Sequence, residues 1–246
     1  MEKNDTLIFG IRPVLEAVKS GTKVSKVLVK KGLTGNRASE LMGMLKHENI
    51  QVQFVPIEAF NKFQGKNHQG VVAYTSPIEV KNLEEILPDL LEKEEGAFLL
   101  ILDRVTDVRN FGAIVRTAEC AGVDAIIVPA KGAANIGGDA IKTSAGALNY
   151  LPICRVGSLK TTINYLKQNG VKIISATEKS EKMLYGSTLK GSVALVMGAE
   201  DTGITPEVIR MSDEVVSIPI KGKVESLNVS VATGIMLYEI VRQRLG

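Results

Sequence analysis

Apolar positions follow two different periods along this chain, so helices and strands are predicted to alternate. In the first part, Val-rich runs bounded by Gly, Pro or polar residues predict strands, and apolar residues at helical spacing predict helices. The predicted strands are Val24–Val29, Gln51–Val55 and Val71–Tyr74, and the predicted helices are Arg12–Lys19 and Ala38–His47. These elements predict a small α/β domain over residues 1–77.

The stretch that follows, residues 78–96, is acidic and is interpreted as a linker with a first helix at Leu83–Leu91, interrupted by Pro88. A second alternating run then begins. Its predicted strands are Phe98–Leu102, Ala125–Val128, Pro152–Val156, Lys172–Ala176, Val193–Met197 and Val215–Ile218, and its predicted helices are Phe111–Ala121, Asp139–Ala147, Leu159–Gln168 and Pro206–Met211. This order predicts a mainly parallel sheet covered on both faces, in an α/β domain over residues 97–246.

The last predicted helix, Val229–Leu245, begins in a polar segment that follows a loop with Gly222. Ser226 or Asn228 is predicted to cap this helix. A polar helix start beside a Gly loop favours ligand binding, although a simple helix cap explains the same pattern.

Charge is distributed unevenly, although the net charge of the 246 residues is only +3. Residues 1–77 carry eleven Lys or Arg against six Asp or Glu, residues 78–96 carry two against seven, and residues 97–246 carry 17 against 14. A basic first domain is typical of an RNA-binding surface, and also of a soluble domain with Lys on its helices. With 45% apolar residues, the chain is able to bury one large core or two modest ones.

The two cysteines, Cys120 and Cys154, are predicted to be buried and form no metal-binding pattern, as expected in a reducing compartment. The first residues lack the basic-then-apolar order of a signal peptide, and no apolar run reaches membrane-spanning length. The sequence therefore predicts a cytoplasmic protein with no metal and no membrane contact.

Several common catalytic and cofactor motifs are missing. No two of the 23 glycines lie two residues apart, so the G-x-G dinucleotide fingerprint is absent, and there is no P-loop. Neither G-x-S-x-G nor a Cys–His arrangement occurs. His47 and His68 both lie in the first domain, where they are interpreted as surface residues rather than proton acceptors. Any cofactor must be held in another way.

Three segments of the second domain share a specific joint pattern. They read N-x-G-x-x-x-R (Asn110–Arg116), G-x-E-x-x-G (Gly198–Gly203) and S-L-N-V-S-V-A (Ser226–Ala232). In this order they resemble the signature motifs of the SpoU/TrmH (SPOUT) RNA 2′-O-ribose methyltransferases. F-G-I-R-P-V-L-E-A (Phe9–Ala17) and H-Q-G-V (His68–Val71) are similar to the substrate-binding domain of the 23S rRNA guanosine-2′-O-methyltransferases. The resemblance covers essentially the whole chain.

The resemblance implies a C-terminal trefoil knot whose loops hold S-adenosylmethionine against backbone groups, which periodicity would not predict. The positions that match the family's cofactor site are Thr177, Gly198, Ile218 and Leu227. Gly198 has a physical reason, because a residue without a side chain lets a ligand approach the backbone closely. Ile218 and Leu227, as residue types, are equally explained as core residues.

The resemblance also implies methyl transfer to a ribose 2′-oxygen, with Arg116 acting at the hydroxyl and Asn110, Glu200, Ser226 and Asn228 close by. A free guanidine base is scarce at neutral pH, so a fixed cation that lowers the pKa of the hydroxyl is physically easier, and both roles stay open. Asn110 and Arg116 lie roughly 240° apart on a helix, so they meet only if Asn110 caps or precedes it. Glu200 either pairs with Arg116 or faces solvent.

RNA recognition is expected in the first domain. The candidate phosphate contacts are Arg12, Lys30, Lys31, Arg37, Lys62 and Lys66. Aromatic residues make up 4% of the chain, with no Trp, which favours shape and phosphate contacts over extensive base stacking. Asp103, Asp107 and Arg109 flank the first motif and are interpreted either as RNA contacts or as plain loop residues.

Family members pair through helices near the cofactor site, so the resemblance implies a two-fold homodimer with the first domain reaching toward the partner's site. The leading hypothesis is a guanosine-2′-O-methyltransferase of 23S rRNA. The alternatives are a tRNA ribose methyltransferase, an RNA-binding ribosome assembly factor with a vestigial knot, and a generic α/β metabolic enzyme. The separate first domain argues against a tRNA enzyme, and the intact motif residues argue against a vestigial knot.

Overall fold

The computed structural model describes residues 7–75, 80–134, 136, 140 and 143–246. The chain divides into two compact units, the first containing residues 1–79 and 135–138, and the second containing residues 80–134 and 139–246. Each unit has its own sheet and its own core.

The first unit contains a mixed sheet of four strands. The strands are β1 (Leu7–Phe9), β2 (Val24–Lys30), β3 (Gln51–Val55) and β4 (Val71–Thr75), in the order β1-β4-β2-β3. Its helices are α1 (Ile11–Lys19), α2 (Asn36–His47) and a 3-10 helix over Ile57–Phe63. The α-helices cover one face, where Val27, Leu41 and Leu45 are buried, and the 3-10 helix covers the other through Phe60 and Phe63.

The second unit contains a sheet of seven strands whose pairings are all parallel. The strands are β5 (Val80–Lys81), β6 (Phe98–Asp103), β7 (Ala125–Pro129), β8 (Ile153–Val156), β9 (Lys172–Ala176), β10 (Val193–Gly198) and β11 (Glu214–Val216), in the order β11-β9-β10-β6-β7-β8-β5. The described α-helices are α3 (Leu83–Leu91), α4 (Val108–Cys120), α5 (Leu159–Gln168), α6 (Pro206–Met211) and α7 (Val229–Leu245), with 3-10 helices at Ala147–Asn149 and Leu184–Gly186.

The central strands β6 and β10 explain why the parallel prediction is confirmed. Every residue of both strands is buried, and both sequences are nearly continuous apolar runs. A strand that is buried on both faces needs this pattern, because helices cover a parallel sheet on each side. The α/β fold class is therefore confirmed, whereas the trefoil knot stays a prediction from the resemblance.

Some sequence predictions of elements were wrong. β1 and β5 were missed because strands of three and two residues show no readable period. Pro88 does not interrupt the helix, since α3 runs through it from an Asn82 cap. The strand predicted at Val215–Ile218 ends at Val216. The helix predicted at Asp139–Ala147 falls partly outside the described residues; Ala140 and Thr143 within it are helical, and only its end differs, because Ala147 starts a 3-10 helix.

The two cysteines have different environments, although both were predicted to be buried. Cys120, the last residue of α4, is exposed. Cys154 lies on β8 with no exposed surface, and burial raises the pKa of its thiol to about 12. The Cys154 thiol is therefore protonated at neutral pH and behaves as a small core residue.

Glu214 on the edge strand β11 gives the fold a pH dependence. Its carboxylate accepts hydrogen bonds from Lys172 at 2.6 Å and Lys182 at 2.9 Å. Burial alone would raise the pKa of Glu214, but hydrogen bonds led by those from the two lysines lower it from 4.5 to about 2. A lowered carboxyl pKa contributes stability above pH 4.5 that is lost as the pH falls toward 2.

We therefore expect acid to weaken the wild type more than a Glu214→Gln variant. Between pH 5 and pH 2.5, the wild-type free energy of unfolding should fall by about 1 kcal/mol more than that of the variant, after allowance for solvent screening. Urea unfolding across this pH range measures the difference. Parallel curves for the two proteins would show that the lysine contacts do not stabilise the fold.

Candidate active site

Three neighbouring strands of the second unit end at one edge of the sheet. Asp103 ends β6, Gly198 ends β10, and Thr177 directly follows β9. The chain leaves β6 toward β7 on one side of the sheet and leaves β10 toward β11 on the other. Such a switch point opens a crevice at the carboxyl ends of parallel strands, where α/β proteins bind their ligands.

Gly198 is required by the loop that follows it. A Cβ at this position would lie 2.2 Å from the carbonyl carbon of Gly203 and 2.3 Å from the nitrogen of Ile204. The loop turns back because the Gly203 N–H donates to the Ala199 carbonyl at 2.9 Å, with Gly203 at a φ of +64°. Close approach of a ligand was the predicted reason for this glycine, whereas the described contact is with the chain's own backbone.

Asp103 holds the same loop from β6. Its carboxylate is buried and accepts a hydrogen bond from the Thr205 N–H at 2.6 Å. The neighbouring Arg104 lies 3.4 Å from this carboxylate and adopts a φ of +62°. The interpretation of Asp103 as a surface or RNA-contacting residue was therefore wrong, because its side chain points into the protein.

A cavity of about 360 Å³ opens beside this loop. Its lining includes the four residues predicted to bind the cofactor, Thr177, Gly198, Ile218 and Leu227, together with the predicted catalytic residues Glu200 and Ser226. Ile218 lies two residues beyond the end of β11 rather than at its end. Tertiary structure thus brings together six of the nine predicted cofactor and catalytic positions.

The chemistry of the cavity is part apolar and part acidic. Its apolar lining includes Met197, Ile204, Ile209, Val229 and Ala232, and its charged lining consists of Glu178, Glu200, Asp201 and Glu225 against Lys179. An apolar wall with an excess of carboxylates suits a ligand that has a flat apolar part and a positive charge. Sequence reasoning missed Glu178, Asp201 and Glu225, because single carboxylates in loops carry no pattern.

Glu200 is also the centre of a polar cluster. Its Oε2 accepts a hydrogen bond from Asn110 Nδ2 at 2.9 Å, and its Oε1 accepts one from Asn228 Nδ2 at 3.2 Å. Asn228 Nδ2 also approaches Asn110 Oδ1 at 3.1 Å. The carboxylate is thus oriented by two amides and still reaches solvent. We call these three residues the Asn–Glu–Asn cluster.

Helix α7 contributes Asn228 through its cap. The Oδ1 atom of Asn228 accepts hydrogen bonds from the Ser230 N–H at 3.0 Å and from Ser230 Oγ at 2.6 Å. Of the two predicted caps, Asn228 is therefore the N-cap, and Ser226 remains exposed at the cavity. Capping fixes the Asn228 side chain so that its Nδ2 faces Glu200.

Helix α4 contributes Asn110, but not in the way the spacing suggested. Asp107 is the N-cap, and its carboxylate accepts a hydrogen bond from the Asn110 N–H at 2.7 Å. Asn110 therefore lies in the first helical turn, and Arg116 is about 240° further round the helix. The expectation that Asn110 caps or precedes this helix was wrong.

Arg116 consequently stands apart from the cluster. Its side chain is exposed, it does not line the cavity, and no described residue forms a hydrogen bond or ion pair with it. Glu200 faces the two asparagines rather than Arg116. In a single chain, the guanidinium of Arg116 is therefore free to contact another molecule.

The six residues predicted to contact phosphates are all exposed. Arg12 in α1 pairs with Glu16 at 2.9 Å, and Arg37 lies in the first turn of α2. Lys30 ends β2 beside Gly70, and Lys31 follows it. Lys66 and Lys62 are also exposed, and the Lys62 ammonium donates a hydrogen bond to the Tyr74 hydroxyl at 3.3 Å.

The two histidines differ. His47 is exposed beside Glu48, as predicted. His68 is partly buried, because its ring stacks on Phe60 with centroids 4.7 Å apart.

Among the described residues, no group of His, Cys, Asp or Glu is arranged to hold a metal ion. The described helices also include none long and apolar enough to cross a membrane.

Two protein families match this chain. The family described as SpoU rRNA Methylase matches residues 97–238, and the family described as RNA 2′-O ribose methyltransferase substrate binding matches residues 7–80. The first match covers six of the seven strands of the parallel sheet, β6 to β11, and the Asn–Glu–Asn cluster, and the second covers the mixed sheet of the first unit.

Full-length relatives and solved structures agree with these matches. A 23S rRNA (guanosine-2′-O-)-methyltransferase RlmB from Haemophilus ducreyi is 41% identical, over 97% of this chain and 98% of its own. The protein of the same name from Escherichia coli is 38% identical over the same shares. The SpoU methyltransferase AviRb from Streptomyces viridochromogenes, solved with AdoMet, superposes with a TM-score of 0.62 at 25% identity, over 98% of this chain and 91% of its own. An AdoMet-bound rRNA methyltransferase from Sinorhizobium meliloti gives the same TM-score and identity, over 97% and 87%.

Proposed function

Because this chain belongs to the SpoU rRNA methylase family, we propose that it transfers a methyl group from S-adenosylmethionine to the ribose 2′-hydroxyl of a guanosine in 23S rRNA. The observation that carries the proposal is the solvent-facing Asn–Glu–Asn cluster on the edge of the 360 Å³ cavity. A cavity for a methyl donor and a polar cluster open to an acceptor are the two parts that such a reaction needs.

The lining of the cavity fits S-adenosylmethionine. The side chains of Ile218 and Leu227 offer an apolar wall to adenine, and Gly198 keeps the backbone compact at the floor. Four carboxylates against one lysine suit a ligand with a sulfonium and an ammonium group. Thr177, Gly198, Ile218 and Leu227 are the residues that would hold it. When bound, this cofactor supplies an electrophilic methyl group.

The Asn–Glu–Asn cluster positions the acceptor. Both oxygens of Glu200 accept amide hydrogen bonds, so the carboxylate is held in one orientation at the cavity edge. Remaining lone pairs on its oxygens are able to accept a hydrogen bond from a ribose hydroxyl. Alignment of donor and acceptor is the main contribution that a protein makes to an in-line transfer. Ser226, exposed at the same edge, offers a second hydroxyl contact.

Arg116 activates the 2′-hydroxyl. A guanidinium is always charged near neutral pH, so its simplest role is to stabilise the developing oxyanion and to bind the adjacent phosphate, while the hydroxyl proton passes to solvent water. The alternative is that Arg116 itself accepts the proton of the 2′-hydroxyl. Because Arg116 does not line the cavity of its own chain, the bound RNA or a second subunit must bring the arginine and the hydroxyl together.

Residues 1–77 act as the RNA-binding domain in this proposal, residues 78–96 as the linker and first helix, and residues 97–246 as the catalytic domain. Support for the first assignment comes from the exposed cations of the first unit, Arg12, Lys30, Lys31 and Arg37. Their charges suit phosphate contacts, which position a nucleic acid without reading its sequence. Action on rRNA accords with a cytoplasmic location.

A homodimer completes the proposal. Helix α7 leaves Val231 and Tyr238 each 51% exposed, and their seven-residue spacing puts them on one face. A two-fold partner packed on this face would bury both side chains. Light scattering should give twice the chain mass for the wild type and one chain mass for a Val231→Asp/Tyr238→Asp variant. A monomeric wild type would contradict the dimer.

The activity itself is tested with radiolabelled S-adenosylmethionine and three acceptors: unmodified 23S rRNA, unmodified tRNA and a DNA control. We expect label only in 23S rRNA, recovered after nuclease digestion as 2′-O-methylguanosine. Label in tRNA would mean that the proposed reaction is right but that the substrate is tRNA rather than 23S rRNA. Binding of 23S rRNA with neither label nor cofactor binding would instead support an RNA-binding assembly factor.

A Glu200→Gln variant tests the cluster. The new amide places an N–H donor against the N–H donor of Asn110 or Asn228, so the cluster loses one hydrogen bond and its orientation. We expect the single-turnover rate to fall about 10- to 100-fold, with little change in melting temperature because the residue is exposed. Glu207→Gln, which removes an exposed ion pair with Lys160, is the matched control. An equal rate in both variants would remove Glu200 from the mechanism.

A further inference from the structure

A tight turn in the first unit carries an unusual residue at its tip. The Val71 N–H donates to the His68 carbonyl at 2.7 Å, and the two residues between them have positive φ angles, +48° at Gln69 and +76° at Gly70. Two consecutive positive φ angles mark a type I′ turn, which favours Asn-Gly. Glutamine is disfavoured in this left-handed conformation, so the turn alone does not explain why it is present.

The turn is held firmly by its neighbours. The His68 ring stacks on Phe60, and its Nδ1 accepts a hydrogen bond from the Gly70 N–H at 3.0 Å. The Gly70 carbonyl accepts one from the Lys30 N–H at 2.8 Å. Glycine is favoured at position 70 for a steric reason as well, because a Cβ there would lie 3.0 Å from the Cβ of Lys30. Gln69 is therefore fixed in backbone position while its side chain projects outward.

The side chain of Gln69 is exposed, and its amide forms no hydrogen bond with the described residues. Its Oε1 lies next to Gly10, where an added Cβ would be 3.6 Å away. The fixed backbone thus presents one free donor and one free acceptor group to solvent, at low conformational cost to a ligand.

The surroundings of this amide are cationic. Lys30 lies beside the turn through its hydrogen bond to Gly70, and Lys66 precedes His68 by two residues. Arg12 lies two residues after Gly10 and is paired with Glu16. No acidic residue lies between Gly10 and Pro13, between Lys30 and Leu33, or between Lys66 and Val71. A neutral amide among cations is the arrangement in which phosphates are bound by charge and a base is read by hydrogen bonds.

We propose that Gln69 reads the edge of an unpaired base in the substrate RNA, next to phosphates held by the neighbouring cations. The inference rests on the proposed function and adds a specificity-determining residue to it. An amide pairs with a base edge through one donated and one accepted hydrogen bond. Sequence-specific recognition of RNA uses unstacked bases of this kind, because side chains do not reach base edges in the deep groove of an RNA helix.

The test uses the full-length protein, Gln69→Asn and Gln69→Gly variants, and transcripts of unmodified 23S and 16S rRNA. Asn suits the turn better but shortens the reach of the amide, and Gly removes the amide. Both variants should keep a melting temperature within about 5 °C of the wild type. We expect preference for 23S over 16S rRNA to fall about 10-fold in each. The slope of log affinity against log salt should stay unchanged, because a neutral side chain releases no counterions.

Lys66→Ala is the matched control, and it should change the salt dependence of binding rather than the preference for 23S rRNA. It should weaken binding of both transcripts equally and reduce the salt slope by about one. Unchanged 23S preference in Gln69→Gly, while the wild type methylates 23S rRNA, would overturn the inference alone. A second outcome is that the wild type prefers 23S rRNA but does not methylate it, and that the Gln69 variants lose this preference. That outcome would overturn only the proposed function. A wild type that neither prefers nor methylates 23S rRNA would overturn both.

Discussion

Gly198→Ala is expected to lower the free energy of unfolding by more than about 3 kcal/mol and to abolish binding of S-adenosylmethionine. The added methyl would sit 2.2 Å from the Gly203 carbonyl carbon and 2.3 Å from the Ile204 nitrogen, both of them backbone atoms. Backbone is unable to move aside as a flexible side chain does. The loop that carries Glu200 would have to shift, and it lines the cavity that is proposed to hold the cofactor.

Urea unfolding and calorimetric titration with S-adenosylmethionine measure the two effects of Gly198→Ala. Gly186→Ala is the matched control in the same unit, because a Cβ there meets nothing within 4 Å. It should change stability by less than about 0.5 kcal/mol and leave cofactor affinity as in the wild type. If Gly198→Ala were as stable as the wild type and bound S-adenosylmethionine equally well, the loop would not pack as described.

Arg116→Ala is expected to reduce the single-turnover rate of methyl transfer about 100-fold without unfolding the protein. The rate should fall because the loss of a fixed cation at a developing oxyanion typically costs this much. Stability should change by less than about 0.5 kcal/mol, since the side chain is exposed on α4 and alanine favours helices. Rapid-quench assays and thermal unfolding measure these quantities.

Arg116→Lys separates the two roles left open for the arginine. A lysine keeps the charge without the planar fork, so an electrostatic role predicts a rate between those of the wild type and Arg116→Ala at every pH. A proton acceptor predicts instead that the Arg116→Lys rate rises steeply toward pH 10, as the amine loses its proton. Arg210→Ala, an exposed arginine on α6, serves as control. Near-normal rates in both Arg116 variants would remove the residue from the reaction.

The fold could be predicted from the sequence because its signals are local. Strands such as β6 and β10 are continuous apolar runs, and the helices between them show a clear period. The errors fell where no local signal exists. Two or three residues in β5 and β1 show no period, and Pro88 is tolerated in α3 by packing that a sequence does not display.

The site was predicted less completely, for the same reason. The motif residues Asn110, Glu200 and Asn228 were identified, but their mutual contacts were not. The helix start was misjudged because Asn110 and Asp107 are both good caps, and the hydrogen bond from the Asn110 N–H to Asp107 decides between them. Asp103 was taken for a surface residue because a single carboxylate after a strand shows no pattern.

By itself, the sequence determined the alternation of elements, the parallel sheet and the family, because apolar periods and motif spacing are properties of neighbouring residues. The tertiary structure alone decided which distant groups meet. The packing of distant elements brings Asn110 to Glu200 across 90 positions and to Asn228 across 118. It also places the backbone of Gly203 where a Gly198 side chain would lie, and it leaves Gln69 exposed on a fixed turn. These outcomes depend on distances and directions between elements, which no local pattern encodes.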